Sequence, residues 1–94
     1  MSKSIISNSP ECLICGDTRN LHKHHIFHGT ANRKQSEKYG CWCFLCARHH
    51  NMSGFGVHFD SALDTKLKRR TQTILEEQGW TREQFIETFG KSYL

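Results

Sequence analysis

No run of apolar residues approaches the roughly 20 needed to span a bilayer, so a transmembrane segment and a membrane partner are not expected. The first ten residues, MSKSIISNSP, hold no long apolar stretch either, and a secretory leader is not expected. Internal repeats and low-complexity tracts are absent, which excludes repeat architectures. Hydrophobic residues make up only 36%, and even with the glycines added the fraction stays below the roughly 45–50% usual for a soluble domain. One domain of 94 residues so poor in apolar side chains buries a modest core, and such domains often lean on a metal or on disulfides. The cysteine count, five, is odd, which argues against a fully paired disulfide framework. Metal-bound thiolates in a reducing compartment, the cytoplasm, fit better.

Against these shortages stand seven histidines and five cysteines, a heavy load of metal-ligating groups. The formal charge of +4 is a mild basic bias, compatible with a nucleic-acid partner without demonstrating one.

Residues 1–10 are polar, end at the only proline, Pro10, and are expected to form a disordered tail ahead of a single domain over 11–94. Leu21 to Phe27 reads as a strand whose alternation puts His22, His24 and Ile26 on one face and Lys23, His25 and Phe27 on the other. The polar stretch 28–40 reads as a long surface loop, with at most a short helical turn around Lys34 to Tyr39. Cys41 to Leu45 is a compact apolar run, hence a second strand, with Trp42 and Phe44 as core and Phe59 joining them later in the chain. Residues 51–57 read as a glycine-containing loop. A helix is expected from Ser61 to Gln78, opened by a Ser61–Asp64 capping box, lined by Leu63, Leu67 and Ile74, and stopped by Gly79. A shorter one follows, capped by Thr81 with Gln84, stapled by Trp80 and Phe85, with Phe85, Ile86 and Phe89 as its apolar side and Gly90 as its end. The fold class is therefore α+β, with two strands and C-terminal helices.

Structural zinc sites take four tetrahedral ligands, brought as two short-spaced pairs. Cys12 and Cys15 make one pair. The second is either Cys46 with His49 or Cys43 with Cys46. The former is favoured, because Cys43 lies inside the apolar run, where a free Cys behaves as a small hydrophobe, while Cys46 sits at the strand's end. A thioredoxin-like redox pair is disfavoured by the lack of a βαβ pattern around either pair.

Cys12-x-x-Cys15, His24-His25-Ile26, Leu45-Cys46-x-x-His49-His50 and His58 together resemble the His-Asn-His (HNH) endonuclease superfamily, also called the ββα-metal fold. The resemblance covers roughly residues 12–75 and is nearest to small phage-type members, with a looser similarity to the phage RecA-dependent nuclease Ref. It implies a ββα-metal fold with a structural zinc knuckle. It also implies cleavage of DNA to 5′-phosphate and 3′-hydroxyl ends inside a phage-infected bacterial cell. By the same resemblance His24, His50 and His58 are ligands of one catalytic divalent ion (Mg, Mn, Ni or Zn), and His25 is the general base. The family's middle Asn falls on Cys41, so its work passes to another group, with Asn32 and a backbone carbonyl as candidates. His58 lies farther from His50 than is usual, so Gly54-Phe55-Gly56 must fold back.

That chemistry suits the residues present. A neutral imidazole accepts a water proton near neutral pH if another group orients it, and imidazoles favour transition metals over Mg. Arg33, whose guanidinium matches phosphate oxygens, is the candidate for a transition-state contact, with Lys34 beside it. Lys66, Arg69 and Arg70 lie along one side of the long helix and are candidates for phosphate contacts; a merely solvated face is the competing reading. His22 and His28 are read as ordinary, His22 a neighbour of His24 and His28 exposed. A recombination or packaging protein of phage or host is a further candidate partner. The rival function is a non-catalytic zinc-binding module of phage origin that contacts DNA or protein.

Overall fold

The computed structural model describes residues 3–51 and 60–94. Among them a two-stranded sheet and four helices run in the order β1 (Leu21–His25), α1 (Thr30–Tyr39), β2 (Trp42–Cys46), α2 (Ala47–Asn51), α3 (Ser61–Glu77) and α4 (Arg82–Phe89). This is a small α+β fold. No helix among these residues is long and apolar enough to cross a membrane.

The strands are antiparallel, with Leu21 opposite Cys46, His24 opposite Cys43 and His25 opposite Trp42. The predicted first strand is shortened at its end. Alternation stops at His25, and Ile26 and Phe27 then both turn inward, 0% and 1% exposed. Phe27 packs its ring against Phe89 at 4.3 Å and Phe85 at 5.2 Å between centroids, which joins the sheet to α4. Leu45, Cys43, Cys41, Leu67 and Leu75 complete the core.

The stretch read as a surface loop is mostly a helix of ten residues, α1. Its composition is polar because it is held by specific contacts and not by an apolar stripe. Buried Ser36 bonds the Phe27 backbone, Asn32 Nδ2 donates to the Phe89 carbonyl at 3.1 Å, and Tyr39 meets Trp80 edge-on. Gly40 ends it in the left-handed region at φ 73°. A side chain there would be strained and would also run into the Lys3 carbonyl.

That close approach belongs to the N-terminal segment, part of the stretch read as a disordered tail. Over residues 4–6 it lies against the start of β2: the Ile5 N–H donates to the Gly40 carbonyl, and buried Ser4 donates its hydroxyl to the Trp42 carbonyl. Ile5 and Ile6 pack on the core.

The long helix starts as expected but is capped by Asp60, whose carboxylate accepts from the Leu63 N–H at 3.0 Å, not by Ser61. Its buried side is Leu67, Thr71, Gln72 and Leu75, with Leu63 and Ile74 at the margins. In α4 Thr81 caps through the Gln84 N–H, and Phe85 and Phe89 are buried. Ile86, expected on the apolar side, is 40% exposed because Phe85 and Phe89 already fill the contact. Phe44 is half-buried and Trp42 buried. Phe59 and the fold-back of Gly54-Phe55-Gly56 lie outside the described residues.

Candidate metal centre and histidine cleft

α2 divides the chemistry of the molecule. Successive residues of a helix point about 100° apart. His49 turns toward the cysteine knuckle, with Nδ1 3.2 Å from Cys46 Sγ and 3.7 Å from Cys12 Sγ. His50 turns toward β1, where it meets His22 and His24.

In the knuckle, the Leu13 N–H bonds the Phe44 carbonyl, which ties the turn to β2, and the Gly16 N–H bonds back to the Cys12 carbonyl. Cys15 Sγ thereby comes within 3.8 Å of Cys46 Sγ. The ligand atoms of Cys12, Cys15, Cys46 and His49 all lie within 4.8 Å of one another and could hold one metal ion. Burial works against the Cys12 thiolate. Backbone N–H groups of Cys46, Cys15 and Ile14, with the Cys15 thiol, outweigh it and bring Cys12 down to about 6. At Cys15 the Asp17 N–H favours the thiolate, yet desolvation and the neighbouring Cys12 and Cys46 sulfurs carry the thiol upward. Cys43 stands apart from this group. It is fully buried, and burial foremost pushes its thiol up to about 12, as burial does for Cys41.

On the other side of α2 a cleft of about 1020 Å³ opens. β1 lines it with Lys23, His24 and His25, α1 and the turn before it with His28, Gly29, Thr30, Arg33, Lys34 and Glu37, and α2 with His50. Five of the residues singled out from the sequence, His24, His25, His50, Arg33 and Lys34, therefore share one cavity.

The alternation of β1 sorts its side chains. His22 and His24 face α2: the Nδ1 atoms of His22 and His50 are 2.9 Å apart, so one ring donates and the other accepts, and the His24 and His50 rings meet edge to face at 5.3 Å. His24 is 2% exposed. Lys23 and His25 face α1, where both reach Glu37, Lys23 Nζ at 2.7 Å from one carboxylate oxygen and His25 Nε2 at 3.0 Å from the other. The hydrogen bond from Lys23, ahead of that from His25, outweighs desolvation and holds the Glu37 carboxyl below its ordinary range. His28, exposed as expected, pairs its Nε2 with Asp64 of α3 at 3.2 Å. Asp64 also binds Lys68.

His58 lies outside the described residues. Lys66, Arg69 and Arg70 are exposed on the outer side of α3, away from buried Thr71 and Leu75, and do not line the cleft. Asn32 turns to α4, where its Nδ2 donates to the Phe89 carbonyl. Glu37 and Lys23 were not singled out from the sequence. Reading Gly40 as a helix cap would have placed Arg33, Lys34 and Glu37 on adjoining turns of one helix, pointing to Glu37 as a partner for a basic neighbour.

The chain matches no protein-family model, no curated protein and no solved structure.

Proposed function

We propose that this protein is a small metal-dependent DNA endonuclease of the HNH type, with a ββα-metal core stapled by a structural zinc. One observation carries the reading: two adjacent strand histidines, a histidine that follows directly on a Cys-x-x-His pair, and an arginine and a lysine all line one cleft.

The staple is Cys12, Cys15, Cys46 and His49. Two sulfurs on one tetrahedral zinc lie about 3.8 Å apart, given Zn–S bonds of about 2.3 Å. The Cys15–Cys46 separation of 3.8 Å fits that edge. In the cleft His24 and His50, joined by His58, would hold the second ion, and a donor set of imidazoles suits Mn, Ni or Zn better than Mg. Glu37, the carboxylate lining the cleft among the described residues, is already committed to Lys23 and His25. A divalent ion bound by these residues would supply Lewis-acid stabilisation of charge on the phosphate.

The remaining work falls to the chain. His25 accepts the proton of the attacking water as the new P–O bond forms and the P–O3′ bond breaks, and the departing 3′ oxygen takes a proton from solvent, which leaves a 5′-phosphate and a 3′-hydroxyl. Arg33 meets the charge that develops on the phosphate oxygens, with Lys34 beside it. Lys66, Arg69 and Arg70 contact the DNA backbone away from the cut. The setting is the cytoplasm of a phage-infected bacterial cell, with a recombination or packaging protein as recruiter.

The test is cleavage of supercoiled plasmid, single-stranded and branched DNA with Mg, Mn, Ni and Zn in turn. Metal-dependent nicking that disappears in His25→Ala, with zinc content and fold unchanged, is the expected result. A folded, zinc-loaded protein that binds DNA and cuts none of these substrates would instead make the chain a non-catalytic zinc module, a reading to which Cys41, at the position of the family's middle Asn, would then lend weight.

A further inference from the structure

We infer that Glu37 is a positioning residue for His25: its carboxylate fixes the imidazole with the proton on Nε2 and the lone pair on Nδ1, while Lys23 holds the carboxylate in place. The inference rests on the reading of His25 as the general base.

The chemistry of the contact leaves little freedom. An ionised carboxylate only accepts, so at 3.0 Å the shared proton sits on His25 Nε2. A neutral imidazole carries one N–H, and Nδ1 is then the nitrogen able to take a proton. The reverse tautomer would set the Nε2 lone pair against a carboxylate oxygen. The second oxygen of Glu37 is occupied by Lys23 Nζ at 2.7 Å, which keeps the group ionised and stops it from rotating away. Lys23 is itself seated over the Trp42 ring, 4.3 Å from its centroid, and Trp42 is the cross-strand partner of His25. The chain of contacts thus closes on itself, from His25 through Glu37, Lys23 and Trp42 back to the strand pair.

The backbone beneath Glu37 is equally held. Its neighbour Ser36 is fully buried and bonded to both polar groups of the Phe27 backbone. Four residues on, the Gly40 N–H bonds the Ser36 carbonyl. A carboxylate mounted on that backbone and tied to Lys23 favours one orientation of the His25 ring.

The experiment compares wild type, Glu37→Ala and Glu37→Gln in full-length zinc-loaded protein. It uses steady-state plasmid nicking with Mn and the imidazole N–H resonances of His25 by NMR. Wild type should show a His25 Nε2–H proton shielded from solvent exchange. Glu37→Ala should lose that resonance and lower kcat about 10–100-fold with KM within about twofold. Glu37→Gln, whose amide oxygen can still accept, should recover most of both. Nicking by Glu37→Ala within twofold of wild type, or persistence of the shielded proton in that variant, would overturn the role of Glu37 while leaving the nuclease reading intact. No nicking by wild type would overturn the nuclease reading and this role with it. Should Glu37→Ala fail to fold, Lys23→Ala decides. Removing the lysine that holds the carboxylate should weaken the same resonance and lower kcat, and unchanged values in both would reject the inference.

Discussion

The hydroxyl of Ser36 accepts from the Phe27 N–H at 3.1 Å and donates to the Phe27 carbonyl at 2.8 Å, so one side chain serves both polar groups of a buried residue. β1 has ended two residues earlier, and no ladder continues there to satisfy them. Ser36→Ala removes both bonds at a fully buried site. Leaving buried backbone groups unpaired costs about 2–3 kcal/mol, which in a domain of this size lowers Tm by on the order of 10 °C or more. Thermal unfolding followed by circular dichroism measures it. A shift of only a degree or two would mean that the loop relaxes and finds water.

The two candidates for the fourth ligand, His49 and Cys43, separate cleanly in a substitution pair. His49→Ala removes one of the four converging ligands and should weaken zinc binding and cooperative unfolding with it, since metal affinity here is folding free energy. Cys43→Ala removes a buried thiol that touches no metal, and should keep one zinc per chain at a cost of about 1 kcal/mol. Metal analysis after dialysis, with unfolding curves, distinguishes them. Zinc lost from Cys43→Ala and kept in His49→Ala would reverse the assignment.

Legibility in the sequence followed the range of each interaction. The metal group could be read because its ligands come as two local pairs, Cys12 with Cys15 and Cys46 with His49, with the apolar run around Cys43 deciding between the two second pairs that spacing allowed. The sorting of β1 into a His22–His24 face and a Lys23–His25 face was equally readable, since alternation is a property of the strand itself. α1 was hidden because its helicity comes from tertiary contacts of Ser36, Asn32 and Tyr39 with residues far along the chain, and its polar composition carries no apolar period. Glu37 was hidden with it. The docking of Ser4 and Ile5 on the sheet depends on two backbone carbonyls, Trp42 and Gly40, which leave no trace in side-chain pattern. The cap of α3 moved by one residue because Asp60 and Ser61 are both good caps, and the helix could start after either.

Acid should dismantle the Lys23–Glu37–His25 contact in a defined direction. The folded state holds the Glu37 carboxyl below its ordinary value of 4.5, chiefly through the Lys23 hydrogen bond. The unfolded chain therefore takes up the proton at higher pH than the folded one. Its stabilising contribution is complete above the unfolded value and is lost as pH falls through the lower folded value. Glu37→Gln removes that dependence. The Tm difference between wild type and Glu37→Gln should thus be steady near neutral pH and shrink as pH falls below about 4.5. Glu37 is more than a third exposed, so solvent screens the pair and the gap should be small throughout. A gap that widens on acidification would contradict the assignment of sign.

The basic residues fall into two groups whose roles differ in what salt does to them. Arg33 and Lys34 line the cleft, whereas Lys66, Arg69 and Arg70 sit on the outer side of α3. Each lysine or arginine that neutralises a phosphate contributes about 0.9 to the slope of log affinity against log salt. Replacing Lys66, Arg69 and Arg70 together by Gln should flatten that slope by up to about 3 while leaving kcat at saturating DNA near wild type, because none of the three reaches the cleft. Arg33→Ala should flatten it by about 1 and, on the proposed nuclease reading, also lower kcat, since a guanidinium lining the cleft would then meet charge that develops in the transition state. Fluorescence anisotropy with a labelled duplex across a salt series, paired with nicking rates, separates the two. A triple variant with an unchanged slope would reduce the α3 cations to a solvated face, and an Arg33→Ala variant with full kcat would remove the arginine from the reaction.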